Sequence, residues 1–211
     1  MTRIALIHAG LVSMPPMLDA FARLWPEAEL LNLLDDRLSE DRARDGVLTP
    51  AMTTRLLALA RYAVASGAEG ILFTCSAFGP AIAACAAALA PLPVLKPNEA
   101  MVEAALAAGG SIALLATFAG TLQTMPDEFP AGTDLRPHLI EGAFAALLAG
   151  DLAEHDRLAA ATARGCKADV IALAQASLSR AAPAVAAATG KPVLTTPDTA
   201  VLKLRGLLGP R

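Results

Sequence analysis

Gly70-Ile71-Leu72-Phe73-Thr74-Cys75-Ser76-Ala77-Phe78-Gly79-Pro80 decides how this chain is read. The apolar run Gly70–Thr74 is short enough for a buried strand. Polar residues follow at once, and Gly79-Pro80 opens an alanine-rich helix, as proline is favoured in a helix's first turn. A strand that ends in a thiol and turns into a helix is one half of a βαβ unit.

Outward from that stretch the same alternation recurs. Strands are predicted at Ile4–His8, Glu29–Leu33, Gly70–Thr74, Pro93–Leu95, Ile112–Ala116, Leu135–Leu139, Val170–Leu173 and Pro192–Leu194. Helices are predicted at Pro50–Ser66, Gly79–Ala88, Asn98–Ala107, Leu152–Arg164 and Leu178–Ala188. Such alternation specifies parallel sheets covered by helices on both faces.

The two halves also echo one another. RIALIHA from Arg3 matches SIALLAT from Ser111, GILFTCSAF from Gly70 matches DVIALAQAS from Asp169, and LPVLKPNEAM from Leu92 matches KPVLTTPDTA from Lys191. The offset is roughly 100 residues, too long for a solenoid period and suited to a duplicated lobe. The expected architecture is two pseudo-symmetric Rossmann-like or flavodoxin-like α/β lobes, each a four-stranded, mostly parallel sheet. Residues 1–97 form the first, completed by a C-terminal helix over 196–211, and residues 98–195 the second. Ligands of such sheets bind beyond the carboxyl ends of the strands, so the site is expected in the cleft between the lobes.

Composition narrows the function. At 55% hydrophobic and 18% charged residues the 211-residue chain can bury a full core. Its net charge of −3 comes without a basic stripe, and aromatics are 4%, which argues against nucleic-acid binding. Ala81–Leu95 is too short and proline-broken to span a bilayer. Cys75, Cys85 and Cys166 lack metal spacing and are odd in number, so neither a metal site nor a disulfide framework is expected. These features point to a cytoplasmic protein free of membrane and nucleic-acid partners. Apolar helix faces are abundant enough for a homodimer or higher homo-oligomer.

Chemistry-bearing residues gather at the strand ends. Cys75 is the leading candidate, since a helix N-terminus lowers a thiol's pKa and its N–H groups can hold a carboxylate. Thr74, Ser76 and Ala77 flank it as substrate-binding candidates. Cys85 reads as helix packing, and Cys166 falls at a strand's amino end. Gln175 is Cys75's counterpart; it hydrogen-bonds but exchanges no proton at neutral pH, and Ser177 offers a hydroxyl nearby. His8 ends the first strand, as an acid/base group or a satisfied core histidine. His138 and His155 read as surface or packing residues. Thr117 and Phe118 follow the fifth strand, Lys96 the fourth, and Thr195 and Thr196 the eighth; all are candidates to bind a carboxylate. Asp35–Asp45 is a mixed charge run, a solvated face or a lid. His8-Ala9-Gly10-Leu11 is no phosphate loop, which weighs against a nucleotide-binding domain.

ILFTCSAFGP, ATFAGT from Ala116 and PVLTTPDTA, set in this repeat, resemble the aspartate/glutamate/hydantoin racemase superfamily, which also holds maleate isomerases and arylmalonate decarboxylases. The resemblance spans nearly the whole chain. It implies cysteine chemistry without metal, nucleotide or pyridoxal cofactors, on a small carboxylate bound by Thr, Ser or Asn side chains and backbone N–H groups. It further implies a racemase or isomerase moving a proton on an amino acid, hydantoin or dicarboxylate through Cys75. The racemases carry a second cysteine after the seventh strand, where Gln175 stands here. Single-thiol decarboxylation, cis–trans isomerisation through a thioether, and carboxylate binding without chemistry therefore stand as alternatives.

Overall fold

In the computed structural model, residues 1–209 are described. The chain forms two compact units, Met1–Asn98 with Ala200–Arg211, and Glu99–Thr199.

The first unit holds strands β1 (Arg3–His8), β2 (Glu29–Leu34), β3 (Gly70–Phe73) and β4 (Val94–Leu95). They form a parallel sheet in the order β2-β1-β3-β4. Its helices are α1 (Met14–Leu24), α2 (Arg37–Asp45), α3 (Pro50–Ala65) and α4 (Gly79–Leu89). The strands are apolar on both faces because both are covered, and alternate residues serve opposite layers. Ala5, Ile7, Ile71 and Phe73 pack with Leu56 and Ala60 of α3 and Ile82 of α4. Ile4, Leu6 and Leu72 pack with Met17 and Phe21 of α1 on the other face.

The second unit repeats the plan. Helix α5 (Glu99–Ala108) leads into β5 (Ile112–Ala116), α6 (Ala119–Thr124), β6 (Leu135–Leu139), α7 (Ala143–Leu148), α8 (Leu152–Arg164), β7 (Val170–Leu173), α9 (Ala182–Thr189) and β8 (Val193–Thr195). The sheet order is β6-β5-β7-β8, again parallel. Ala113, Leu115, Ile171 and Leu173 face one layer, and Ile112, Leu114 and Ala172 the other.

Register makes the duplication exact at the residue level. Ile4 pairs with Gly70 and Ile112 with Val170, so Gly70 corresponds to Val170 and Cys75 to Gln175. The quoted GILFTCSAF and DVIALAQAS are thus offset by one position.

Helix α10 (Thr196–Leu208) closes the chain. Its residues Ala200, Val201 and Leu204 are buried in the first unit's outer layer beside Ile4 and Leu72. The first unit resumes at Ala200, one residue after Thr199, whose Oγ1 donates to the Thr195 carbonyl at 2.8 Å.

Three elements differ from expectation. The charge run Asp35–Asp45 is mostly helix α2, with Leu38 fully buried beneath it. The segment after Met14, unassigned in the sequence reading, is helix α1 with proline in its first turn. The helix expected over Leu178–Ala188 begins as a 3-10 turn, Ala176–Ala181, and becomes α-helical at Ala182, where Pro183 suits the first turn.

Candidate functional site

Each predicted site residue lies at or just beyond the carboxyl end of a strand in its own sheet. His8, Thr74, Cys75, Ser76, Ala77 and Lys96 belong to the first unit; Thr117, Phe118, Gln175, Ser177, Thr195 and Thr196 belong to the second.

Cys75 follows β3 in extended backbone, and Ser76–Phe78 then forms a 3-10 turn ahead of α4. Its thiol is half-buried and unpaired with any other cysteine. The sequence reading has a nearby helix start lowering its pKa. The net direction is the opposite: burial pushes the thiol above its ordinary value, while the Ala77 backbone N–H and the Ser39 hydroxyl pull it back. The reason is that desolvation of a thiolate outweighs two hydrogen-bond donors. Cys75 therefore rests as a protonated thiol. Cys85 and Cys166 are both buried; the Cys166 thiol donates to the Thr162 carbonyl at 3.3 Å.

Ser39, unremarked in the sequence reading, projects from α2. Its hydroxyl donates to the Ala9 carbonyl at 2.7 Å; the same single proton is the one that can turn to a Cys75 thiolate, which is how Ser39 lowers the thiol's pKa. Helix α2 is held in place by Arg55 of α3, which forms a fork to both oxygens of Asp35 at 2.9 and 2.6 Å and reaches Asp41 at 2.6 Å. A segment pinned this way is a docked wall rather than the free lid the charge run suggested.

His8 is fully buried, so the open acid/base role does not fit it. Its Nε2 lies 3.1 Å from Asn32 Oδ1 and its Nδ1 2.9 Å from Thr74 Oγ1. With Asn32 Oδ1 as acceptor and the ring neutral, Nε2–H donates to Asn32 and Thr74 donates to Nδ1. Ser13 joins at 2.9 Å from Thr74 Oγ1. Burial lowers the His8 pKa, against the raising effect of Asn32, so the ring stays neutral. Thr74, expected to bind substrate, gives its hydroxyl to His8 and its N–H to the Ile7 carbonyl at 3.0 Å. The pair holds the ends of β1 and β3 together just before Cys75. The second unit has Ala116 and Ala174 at the matching positions, and no such network.

In the second unit Gln175 Oε1 accepts from the Thr117 backbone N–H at 2.6 Å and from Thr117 Oγ1 at 3.0 Å. Phe118 is exposed, its ring 6.2 Å from that of Phe144. Ser177 is half-buried in the turn after Gln175. Thr195 and Thr196, expected to line an opening, are both buried. The Thr195 hydroxyl accepts the Asp198 N–H at 3.2 Å and so caps α10; Thr196 Oγ1 is sealed without a partner. Lys96, half-buried beyond β4, makes no ion pair with a described residue. Among the described residues no three His, Cys, Asp or Glu side chains gather to hold a metal ion. No described helix is long and apolar enough to cross a membrane.

A duplicated parallel α/β fold with a lone thiol beyond the third strand of one sheet, and an amide at the matching place in the other, defines a class. The chain belongs to the Asp/Glu/hydantoin racemase family, whose model matches residues 13–204. No curated protein matches it by sequence. Among solved structures it is similar to the aspartate racemase of Picrophilus torridus (TM-score 0.73, 11% identity, 100% of this chain and 96% of that one). It is also similar to the allantoin racemase of Klebsiella pneumoniae (0.71, 17%, 99% and 88%). A double mutant of arylmalonate decarboxylase in its liganded form is another such structure (0.68, 20%, 99% and 93%). At these identities the likeness is one of fold.

Proposed function

We propose that this protein is an enzyme that transfers a proton at the carbon beside a carboxylate of a small organic acid, with Cys75 handling the proton and no cofactor taking part. The observation that carries this reading is the half-buried, unpaired thiol at the end of β3, with the Ala77 N–H and the Ser39 hydroxyl beside it. Family membership supports the reaction class. For the base step the resting thiol first gives up its proton to solvent; the thiolate then removes the α-proton and leaves an enolate, and the thiol so formed returns a proton to carbon. Unpaired cysteines in all three places suit a reducing cytoplasm.

A second reading, decarboxylation, is favoured by two facts. The thiol is protonated at rest, as a proton donor to a carbanion should be. The second unit offers Gln175 in place of a thiol, so its strand end supplies no second acid/base cysteine. In this reading CO2 leaves, the electron pair remains on carbon, and Cys75 protonates it from one side.

The test is turnover in D2O of aspartate, glutamate, hydantoins and substituted malonates, following deuterium at the α-carbon and release of CO2. Cys75→Ala should lower the active reaction by at least about a hundredfold, the usual scale for losing an acid–base group. Full activity in Cys75→Ala would remove the thiol from the chemistry.

A further inference from the structure

A glutamine amide is often ambiguous, because its oxygen and nitrogen look alike. Gln175 is not. A backbone N–H can only donate, so the amide atom 2.6 Å from Thr117 N must be the oxygen. The Thr117 hydroxyl, 3.0 Å from the same atom, then donates as well. Two donors on one oxygen fix the plane of the amide and turn its NH2 group away from Thr117. That NH2 group has no partner among the described residues and is not sealed from solvent. Asp156, the carboxylate paired with the turn that follows Gln175, does not take it either. Arg180, on the turn that follows, is held by both oxygens of Asp156 at 2.9 and 2.8 Å, and His155 Nδ1 occupies Asp156 as well.

An oriented, unpartnered N–H donor at a strand's carboxyl end is a ready receptor for an anionic oxygen. It meets that oxygen without paying reorganisation on binding. We propose that Gln175 is a fixed hydrogen-bond donor to a carboxylate or enolate oxygen of the ligand, aimed by Thr117, in place of an acid/base group. The inference rests on the small-carboxylate reading above and adds a residue and a charge preference to it. Thr117 is then a positioning residue: its own donors are engaged by Gln175, which corrects its expected role as a direct carboxylate ligand. The ligand class is an acid that presents an anionic oxygen to the second unit. A neutral analogue of the same shape should bind poorly.

The experiment measures binding of malonate, and of malonamide as its neutral analogue, to the full chain by calorimetry. Gln175→Glu keeps an oxygen for Thr117 but sets a negative charge where the donor was. It should weaken malonate binding by at least about tenfold at pH 7.5, because like charges at hydrogen-bond distance repel even near a surface. The deficit relative to wild type should shrink as the pH falls below about 4.3, the ordinary glutamate value, where the new carboxyl gains a proton and becomes a donor again. A packing role would not restore affinity with acid. Gln175→Met, close in size and without a donor, should weaken malonate at every pH and leave malonamide unchanged; it also serves if Gln175→Glu fails to fold. Equal malonate affinity in wild type and in the folded variants overturns the inference alone. If the wild type binds none of malonate, aspartate, glutamate or phenylmalonate, the carboxylate reading falls and this inference with it.

Discussion

At the residue scale, the informative fact about Cys75 is the direction in which its surroundings move it. Burial raises the thiol pKa, and Ser39 and the Ala77 N–H oppose that rise. The thiolate is the form that alkylating agents attack, so iodoacetamide labelling of Cys75 should still be climbing with pH at 9, the ordinary thiol value. Ser39→Ala removes one of the two opposing donors. It should move the labelling curve further toward alkaline pH and slow labelling at pH 8 several-fold, read on the Cys75 peptide by mass spectrometry. An unshifted curve would mean that Ser39 serves only the Ala9 carbonyl. His8 supplies a second pH signature. Its folded pKa lies below 6.5 because the ring is buried. The unfolded chain therefore takes up the proton first, and stability present above pH 6.5 is lost as the pH falls below it. Thermal melts between pH 7.5 and 5.5 should show this slope, and His8→Gln should flatten it.

At the element scale, the sequence and the structure agree where burial alone sets the pattern. β1, β3, β5 and β7 are central strands buried on both faces, and their continuous apolar runs are unmistakable. Cys75 was legible for the same reason: a thiol directly after such a run has to stand at a strand end. The misses lie where a single buried contact outweighs composition. Helix α2 carries one fully buried apolar residue, Leu38, in a segment otherwise rich in charge, and its hold comes from Arg55, an ion-pair partner 20 residues from Asp35. No local period reveals that, and so Ser39 on the same helix went unseen. His8, Thr74, Asn32 and Ser13 illustrate a related limit. Asn32 interrupts the apolar run of β2, a visible oddity, but its pairing with His8 depends on the parallel register of β1 against β2. Thr195 and Thr196 look like ligand hydroxyls in sequence. The turn from β8 into α10 consumes one as a cap and buries the other.

At the scale of the whole molecule, the duplication explains both what is shared and what is not. Two sheets with the same strand order and register place equivalent backbone at Cys75 and Gln175, and the side chains there differ, a thiol in one and an amide in the other. The His8–Thr74 pair and the Thr117–Gln175 pair carry the difference one layer further in: each unit steadies its own strand end by different contacts. The last helix crosses this division, since Leu204 follows the second unit in sequence and is buried in the core of the first. Trp25, the chain's single tryptophan, lies in that same layer, stacked on Phe21, and reports on the first unit alone. Leu204→Ala removes a fully buried leucine and should cost about 2–5 kcal/mol. Leu115→Ala, equally buried in the second unit, should cost about as much. In urea, Leu204→Ala should lower the midpoint of the Trp25 fluorescence transition well below that of Leu115→Ala, while far-UV circular dichroism records a loss in both. If Leu115→Ala moved the tryptophan signal just as far, the two units would unfold as one cooperative body, and the division drawn at Asn98 and Ala200 would mark topology without energetic independence.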